Sequence, residues 1–452
     1  MDEKHEPVMG FWRAWGLVVG LMIGSGVFML PTVLAPYGWI GVGSWLITGT
    51  GTLALAFSLA ALAKRIPKVG GPYAYTRAGF GDFAGFLMAW GYWVSVWVAS
   101  AAIAVAFVGY LGVFIPAVTA SPGASIAAGV GIIWVLTYLN FHSIHHSSVF
   151  QLVTSIAKVL PLVLLGTLGF VGARGEVYDT MVMPSGSPLA ALATAGALAM
   201  WAFVGFEVGT IPAGDIKEPK KTIPRALIAG VGLVVVLYLA VTVVVFGLVP
   251  SEQLMKSTSP LADAASVLLG PWGAGFVALV ALVATASALN CNILAVGQMP
   301  MAAAMDGLFP QAFGQLTKRG TPGVAFLVGA VLSSAALMMN YVKGLVGAFE
   351  FLILLSTLTT VVPLSFSAGA AWLFAAGDKS LSRRERLRDG ITAVLGFLYS
   401  LWAIGGAGTE AVYWGFLLLM VGVPVYADMR AKANALEDAV DAGEAAEEAA
   451  AE

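Results

Sequence analysis

Three stretches of this chain, residues 14–63, 83–157 and 264–305, contain no Asp, Glu, Lys or Arg. A membrane-crossing helix needs about 20 apolar residues, so each stretch is long enough to cross a bilayer at least once. Only 11% of the 452 residues are charged and 59% are hydrophobic, against about 25% and roughly 45–50% in soluble domains, which excludes a water-soluble globule. Membrane helices tolerate the 54 glycines and 21 prolines, because neighbouring helices and cavities re-satisfy freed backbone groups. Membrane strands would instead show apolar/polar alternation over about 10 residues. The expected fold is an all-α polytopic membrane protein.

Breaking the apolar runs at Gly, Pro and charged clusters predicts twelve spans, near residues 12–35, 38–63, 84–115, 124–141, 149–172, 189–214, 226–249, 273–303, 323–341, 346–375, 391–407 and 411–427. An even count puts both termini on one side. With the N-terminus cytoplasmic, inside segments hold 19 of the 23 Lys and Arg, while outside loops hold Arg174, Lys256 and Lys343. That asymmetry follows the positive-inside rule and predicts cytoplasmic termini in the inner membrane of the cell. The remaining residue of the 23, Lys158, falls inside a span. The start MDEKHEP has no basic n-region or cleavage site, so the first apolar segment is expected to stay as an anchor. The acidic, Ala-rich end (428–452) reads as a solvated or partly helical extension.

A net charge of −2 offers no basic field for nucleic acid, and the lone Cys291 supports neither a disulfide framework nor a thiolate metal site. His142, His145 and His146 cluster in a loop without nearby carboxylates, which argues against a zinc site needing four ligands or three and a water. No GxxxxGK[ST] segment is present, which argues against an ATP-driven pump. No cofactor is expected.

Two spans are unusual for simple membrane helices. The first reads GLMIGSGVFMLP, with Gly20, Gly24 and Gly26 around Ser25, and the sixth reads MWAFVGFEVGTIP, with Gly205 and Gly209 flanking Glu207. Glycine-interrupted helices in corresponding places of two halves point to the binding site of an inverted-repeat transporter, because unwound backbone at membrane depth is tolerated where it lines a cavity. Spans 1–5 (12–172) and 6–10 (189–375) would be the repeats, preceded by residues 1–11 and followed by two added helices (391–427). Around residues 23–26, a freed helix N-terminus would suit a carboxylate. Close helix packing through small residues is the other reading. Glu207 is the sole carboxylate deep in the membrane, and such a group is either partnered, tying helices together, or marks a proton pathway. Lys158 lies about nine residues, or roughly 13 Å, from its span's cytoplasmic end, too deep to snorkel comfortably. It is either a switchable charge or a fixed one bonded to backbone carbonyls.

The segments IGSGVFMLP (23–31), GGPYAYTRAGFG (70–81), MWAFVGFEVG (200–209), IKEPKKTIPRA (216–226) and AAAMDGLFP (302–310) resemble, in order and spacing, the amino acid–polyamine–organocation transporters. The similarity runs from about Gly16 to Tyr426 and is strongest to the bacterial arginine/agmatine antiporters and their basic amino acid and polyamine relatives. It implies a LeuT-like five-plus-five inverted repeat plus two helices, discontinuous first and sixth helices, and alternating access. Ile23, Ser25 and Gly26 would hold a substrate carboxylate. Ala202, Val204 and Gly205 would lie by its amino group, with Trp201 as a gate stacking over it. Tyr92, Ser95, Val96, Ser100, Asn292 and Ser356 would line the side-chain pocket. Glu207 would be a proton-sensitive gate, and Lys158 would occupy the place of the sodium ion in related symporters.

Leu21 and Ser100 stand where the arginine/agmatine pattern has asparagines, and Asn292 stands where it has a second tryptophan. Losing one aromatic face removes about 2 kcal/mol of cation–π attraction for a desolvated guanidinium, so a smaller amino acid or a polyamine fits as well. The expected function is proton-coupled secondary transport of an amino acid or amine, with exchange as the alternative. A transporter-like sensor without turnover is the rival of another class, but the short tail carries no signalling domain. An enzyme is not expected. The expected partners are the small-molecule substrate and the lipid bilayer, and the reading allows a homodimer.

Overall fold

A computed structural model describes residues 9–66, 71–142, 158–207 and 216–451, the side chains of 220, 340 and 436–451 aside. Among these residues the chain is helical throughout, with one isolated bridge joining Met9 to Ile216. The helices of nine residues or more, numbered in chain order, are α1 (Phe11–Met22), α2 (Ser25–Leu34), α3 (Gly38–Arg65), α4 (Pro72–Phe80) and α5 (Asp82–Leu111). There follow α6 (Pro122–His142), α7 (Val159–Gly172), α8 (Pro188–Met200), α9 (Pro219–Leu248) and α10 (Pro260–Met305). The chain ends with α11 (Gly323–Asn340), α12 (Gly344–Gly377), α13 (Arg383–Gly406) and α14 (Gly408–Ala451).

Local chemistry sets several starts. Proline sits at the beginning of α4, α8, α9 and α10, where its missing N–H costs no intrahelical bond. At α13, Ser382 and Glu385 form a reciprocal capping box. These signals move one boundary from that expected: the seventh span begins at Pro219 rather than near 226. Non-helical Gly270 (φ 66°) divides α10 at a kink, so the eighth span opens at Pro271, close to the expected 273, after a preceding helix that starts at Pro260.

Among the described residues, eight helical stretches are long and apolar enough to cross a membrane, and α1, α7 and α8 are shorter apolar helices. The arrangement inverts that of a soluble globule at its surface. Leu395, Leu398 and Leu401 on α13, and Tyr413, Phe416 and Val421 on α14, are exposed large apolar side chains, as lipid contact requires. The centre is formed by α5, which packs against both α10 and α12, while α1 packs on α9 and α8 on α3. His142 ends α6 with its ring on Tyr138, whereas His145 and His146 lie outside the described residues.

Candidate functional site

Two helix interruptions meet at the centre. α1 stops because Ile23 turns extended (φ −78°, ψ 92°) and Gly24 follows at φ −132°, ψ −142°, after which α2 resumes at Ser25. A helix end leaves four carbonyls without intrahelical donors. The Ile23 N–H returns to the Val19 carbonyl at 3.0 Å, the Tyr238 hydroxyl donates to the Met22 carbonyl at 2.8 Å, and the Lys158 ammonium donates to the Gly20 carbonyl at 2.5 Å. The second interruption follows α8. Residues 201–205 form turns, and Gly205 sits at φ +112°. A Cβ at Gly205 would lie 3.2 Å from the Leu21 carbonyl oxygen, so backbone conformation and close approach both call for glycine.

Between these breaks lies a cavity of about 210 Å³. That is smaller than the roughly 300–1,000 Å³ of pockets for drug-sized ligands, so it suits one small solute. Its walls bring together Tyr92, Ser95, Val96, Val204, Gly205 and Ser356, and it also contains Asn292 and both deep ionisable groups, Lys158 and Glu207. The Glu207 carboxyl is fully buried and accepts from the Tyr92 hydroxyl at 3.1 Å through Oε1 and from the Gly205 N–H at 2.9 Å through Oε2. That amide is therefore engaged by the protein itself rather than offered to a solute. The Ser356 hydroxyl donates to the Ser95 carbonyl at 2.9 Å, joining α12 to α5 across the cavity wall.

Six residues expected at the site, Ile23, Ser25, Gly26, Ser100, Trp201 and Ala202, fall outside this lining. Ile23, Ser25 and Gly26 are buried just beyond it. Gly26 approaches the second break so closely that a Cβ there would lie 2.9 Å from both Cα and Cβ of Ala202 and 3.4 Å from the Trp201 ring. Trp201 and Ala202 therefore pack against the start of α2 at Gly26. Ser100 is fully buried and spends its hydroxyl on the Val96 carbonyl at 3.0 Å. The reason is periodic: Tyr92, Ser95, Val96 and Ala99 already fill the cavity-facing stripe of α5.

Cys291 and Gln298 line the cavity and were not expected to. The same helical spacing reveals them, since Ala288, Cys291, Asn292, Ala295 and Gln298 form one stripe of α10 through the expected Asn292. Beyond the cavity, toward the end of α10, the Tyr73 hydroxyl on α4 donates to Asp306 at 2.7 Å. Burial, followed by that carboxylate, raises the phenol's pKa above its ordinary value.

A small cavity lined by both apolar and polar side chains where α1 and α8 end, inside a bundle that exposes apolar side chains, has the form of a membrane solute transporter's site. The amino acid permease family matches residues 9–425, and the chain belongs to that family, within the amino acid–polyamine–organocation superfamily. It is similar to the cadaverine/lysine antiporter of Escherichia coli (strain K12), at 30% identity over 93% of this chain and 94% of the relative. It is also similar to the putative arginine/ornithine antiporter of Bacillus subtilis (strain 168), at 30% identity over 92% and 96% of the two chains. The putrescine transporter PotE of Escherichia coli (strain K12) is 28% identical over 94% and 97%. Among solved structures, a substrate-bound, outward-open Na+-coupled sialic acid symporter superposes with a TM-score of 0.52. Its identity is 12%, over 86% of this chain and 89% of that one, a likeness of fold.

Proposed function

We infer that the protein is a proton-linked secondary transporter of an amino acid or small amine, working by alternating access across the inner membrane with both termini cytoplasmic. The observation that carries this reading is the sharing of one small cavity by Lys158 and Glu207, each held by backbone of a broken helix. Changing either group's charge therefore changes the pull on a helix break, which is the coupling a proton-driven carrier needs.

The packing supports a five-plus-five inverted repeat within twelve spans. The first span (α1–α2) packs on the seventh (α9), and the second (α3) packs on the sixth (α8). These two contacts exchange when spans 1–5 are mapped onto 6–10. In the orientation of the positive-inside rule, Gly20 and Leu21 belong to the cytoplasmic half of the first span, while the seal of Gly26 on Ala202 faces the outside. The arrangement corresponds to a carrier shut toward the exterior. A substrate carboxylate would reach the amides at the start of α2 once Trp201 and Ala202 draw back, which gives Ile23, Ser25 and Gly26 their role in the other state.

A second reading, exchange of an amino acid against an amine, is favoured by two of the relatives being antiporters by name. One experiment separates the two. Purified protein in proteoliposomes is given labelled lysine, arginine, ornithine, cadaverine or putrescine, either with an imposed proton gradient or with unlabelled solute inside. Proton-linked transport predicts uptake into empty vesicles driven by the gradient and lost in Lys158→Ala. Uptake that needs internal solute and ignores the gradient supports exchange instead, and uptake of no panel member under either condition removes this substrate class.

A further inference from the structure

A second cavity opens between the end of α12 and the start of α13, with a volume of about 540 Å³. One wall is a single stripe of α13: Arg383, Arg386, Gly390, Ile391, Val394 and Leu395. The other is Trp372, Ala375 and Ala376 on α12. Small residues carve the cleft, and a Cβ built on Gly390 would meet nothing within 4 Å. The cleft is polar at one end only. From Arg386 to Leu395 the helix rises about 13 Å at 1.5 Å per residue, close to half of a hydrocarbon core about 30 Å thick. It therefore runs from a basic mouth at the membrane surface to the depth of one leaflet.

The two arginines at the mouth have no carboxylate partner among the described residues. Asp389 is taken by Arg65 at 2.9 Å and Arg388 at 2.7 Å, and Asp378 bonds Ser380 and lies 3.6 Å from Arg65. Glu385 is used by the Ser382 cap. Arg383 and Arg386 are exposed and enter no ion pair among the described residues, Arg386 donating only to the Asp378 backbone carbonyl at 3.0 Å. Two guanidiniums spaced i, i+3 on one helix face present forks that fit a phosphate, and the apolar groove beneath them fits a hydrocarbon chain.

We propose that this cleft binds one anionic phospholipid, its phosphate between Arg383 and Arg386 and an acyl chain along Gly390, Ile391 and Val394. A zwitterionic lipid fills the groove equally well but brings its own cation to the arginines. The site thus selects by headgroup charge.

Native mass spectrometry of the full chain in detergent, incubated with phosphatidylglycerol and phosphatidylcholine of identical chains, tests it. Wild type is expected to retain phosphatidylglycerol about tenfold over phosphatidylcholine, a difference of about 1.4 kcal/mol. Arg383→Gln with Arg386→Gln removes that preference. Gly390→Leu fills the groove and lowers retention of both lipids with the arginines in place, so it carries the test should the double variant fail to fold. Lys379→Gln with Arg384→Gln, two basic positions outside the lining, leaves retention unchanged. Equal retention by wild type and the cleft variants overturns the proposal, as does an equal loss in the Lys379/Arg384 pair, which would mean diffuse surface charge. Displacement by inorganic phosphate alone, or a change of oligomer mass in place of lipid loss, overturns it in favour of a soluble anion or a second copy of the chain.

Discussion

At the scale of single residues, the two deep ionisable groups were visible because a charge inside an apolar run is conspicuous, but their partners were not. Glu207 bonds Tyr92, 115 positions away, and Lys158 bonds Gly20, 138 positions away. Both Glu207 oxygens act as acceptors here, one from a hydroxyl and one from an amide. A glutamine can keep its oxygen on the Gly205 N–H while its NH2 turns to Tyr92, whose hydroxyl can accept as well as donate. Glu207→Gln is therefore expected to fold, to bind substrate nearly as wild type, and to transport at a rate independent of pH, measured as initial uptake in proteoliposomes across a pH series. A mutant as pH-responsive as wild type would return Glu207 to a purely structural bond. Trp201→Leu tests the proposed gate. The Trp201 ring packs beside Gly26, so if it gates the site the smaller side chain is expected to cut uptake at least tenfold, about 1.4 kcal/mol of barrier. Unimpaired uptake by well-folded protein would show that the ring does not gate.

At the scale of elements, the glycine-rich segments predict that two helices break; among the described residues α1 stops and α2 resumes, and α8 gives way to turns at 201–205. Their glycines nevertheless have different tasks, which spacing does not distinguish. Gly24 has negative φ, and a Cβ there would sit 3.4 Å from that of Ala288, an ordinary contact. At Gly26 the added atom would press on the Ala202 backbone at 2.9 Å. Gly24→Ala is expected to be tolerated. Gly26→Ala is expected to cost about 1–3 kcal/mol of overpacking and to lower the midpoint of thermal unfolding followed by size-exclusion fluorescence. Equal midpoints for the two variants would mean that the breaks are not in hard contact. The misplacement of Ser100 is of the same kind, because a helix face is settled by neighbours, and α5 presents Tyr92, Ser95, Val96 and Ala99 instead.

At the scale of the whole molecule, one end of the bundle is tied by ion pairs between helices distant in sequence. Asp389 of α13, largely buried, joins Arg65 at the end of α3 to its own neighbour Arg388. Asp389→Asn leaves Arg65 with Asp378 alone, at 3.6 Å. Since Arg65 is partly solvated, the expected cost is about 1–2 kcal/mol, between the values for exposed and buried pairs. The check is thermal unfolding at low and high salt, where the difference between variant and wild type should shrink as salt screens the pair. A salt-independent difference would assign the effect to packing.

The amino-acid sequence alone determined that this chain crosses a membrane as helices, that its first span breaks at Ile23 and Gly24, and where the deep charges stand. These follow from local rules: the solvent at each position selects residue type, and a glycine beside unwound backbone needs no distant partner. The tertiary structure alone decided which amides, carbonyls and side chains meet at the breaks. It packed Gly26 against Trp201 and Ala202, gave the Gly205 amide to Glu207, and brought Cys291 and Gln298 to the cavity wall. Such pairings join residues that can lie more than a hundred positions apart. Helix rotation and approach decide them, and these are set by the packing of all neighbours at once rather than by any segment's own pattern.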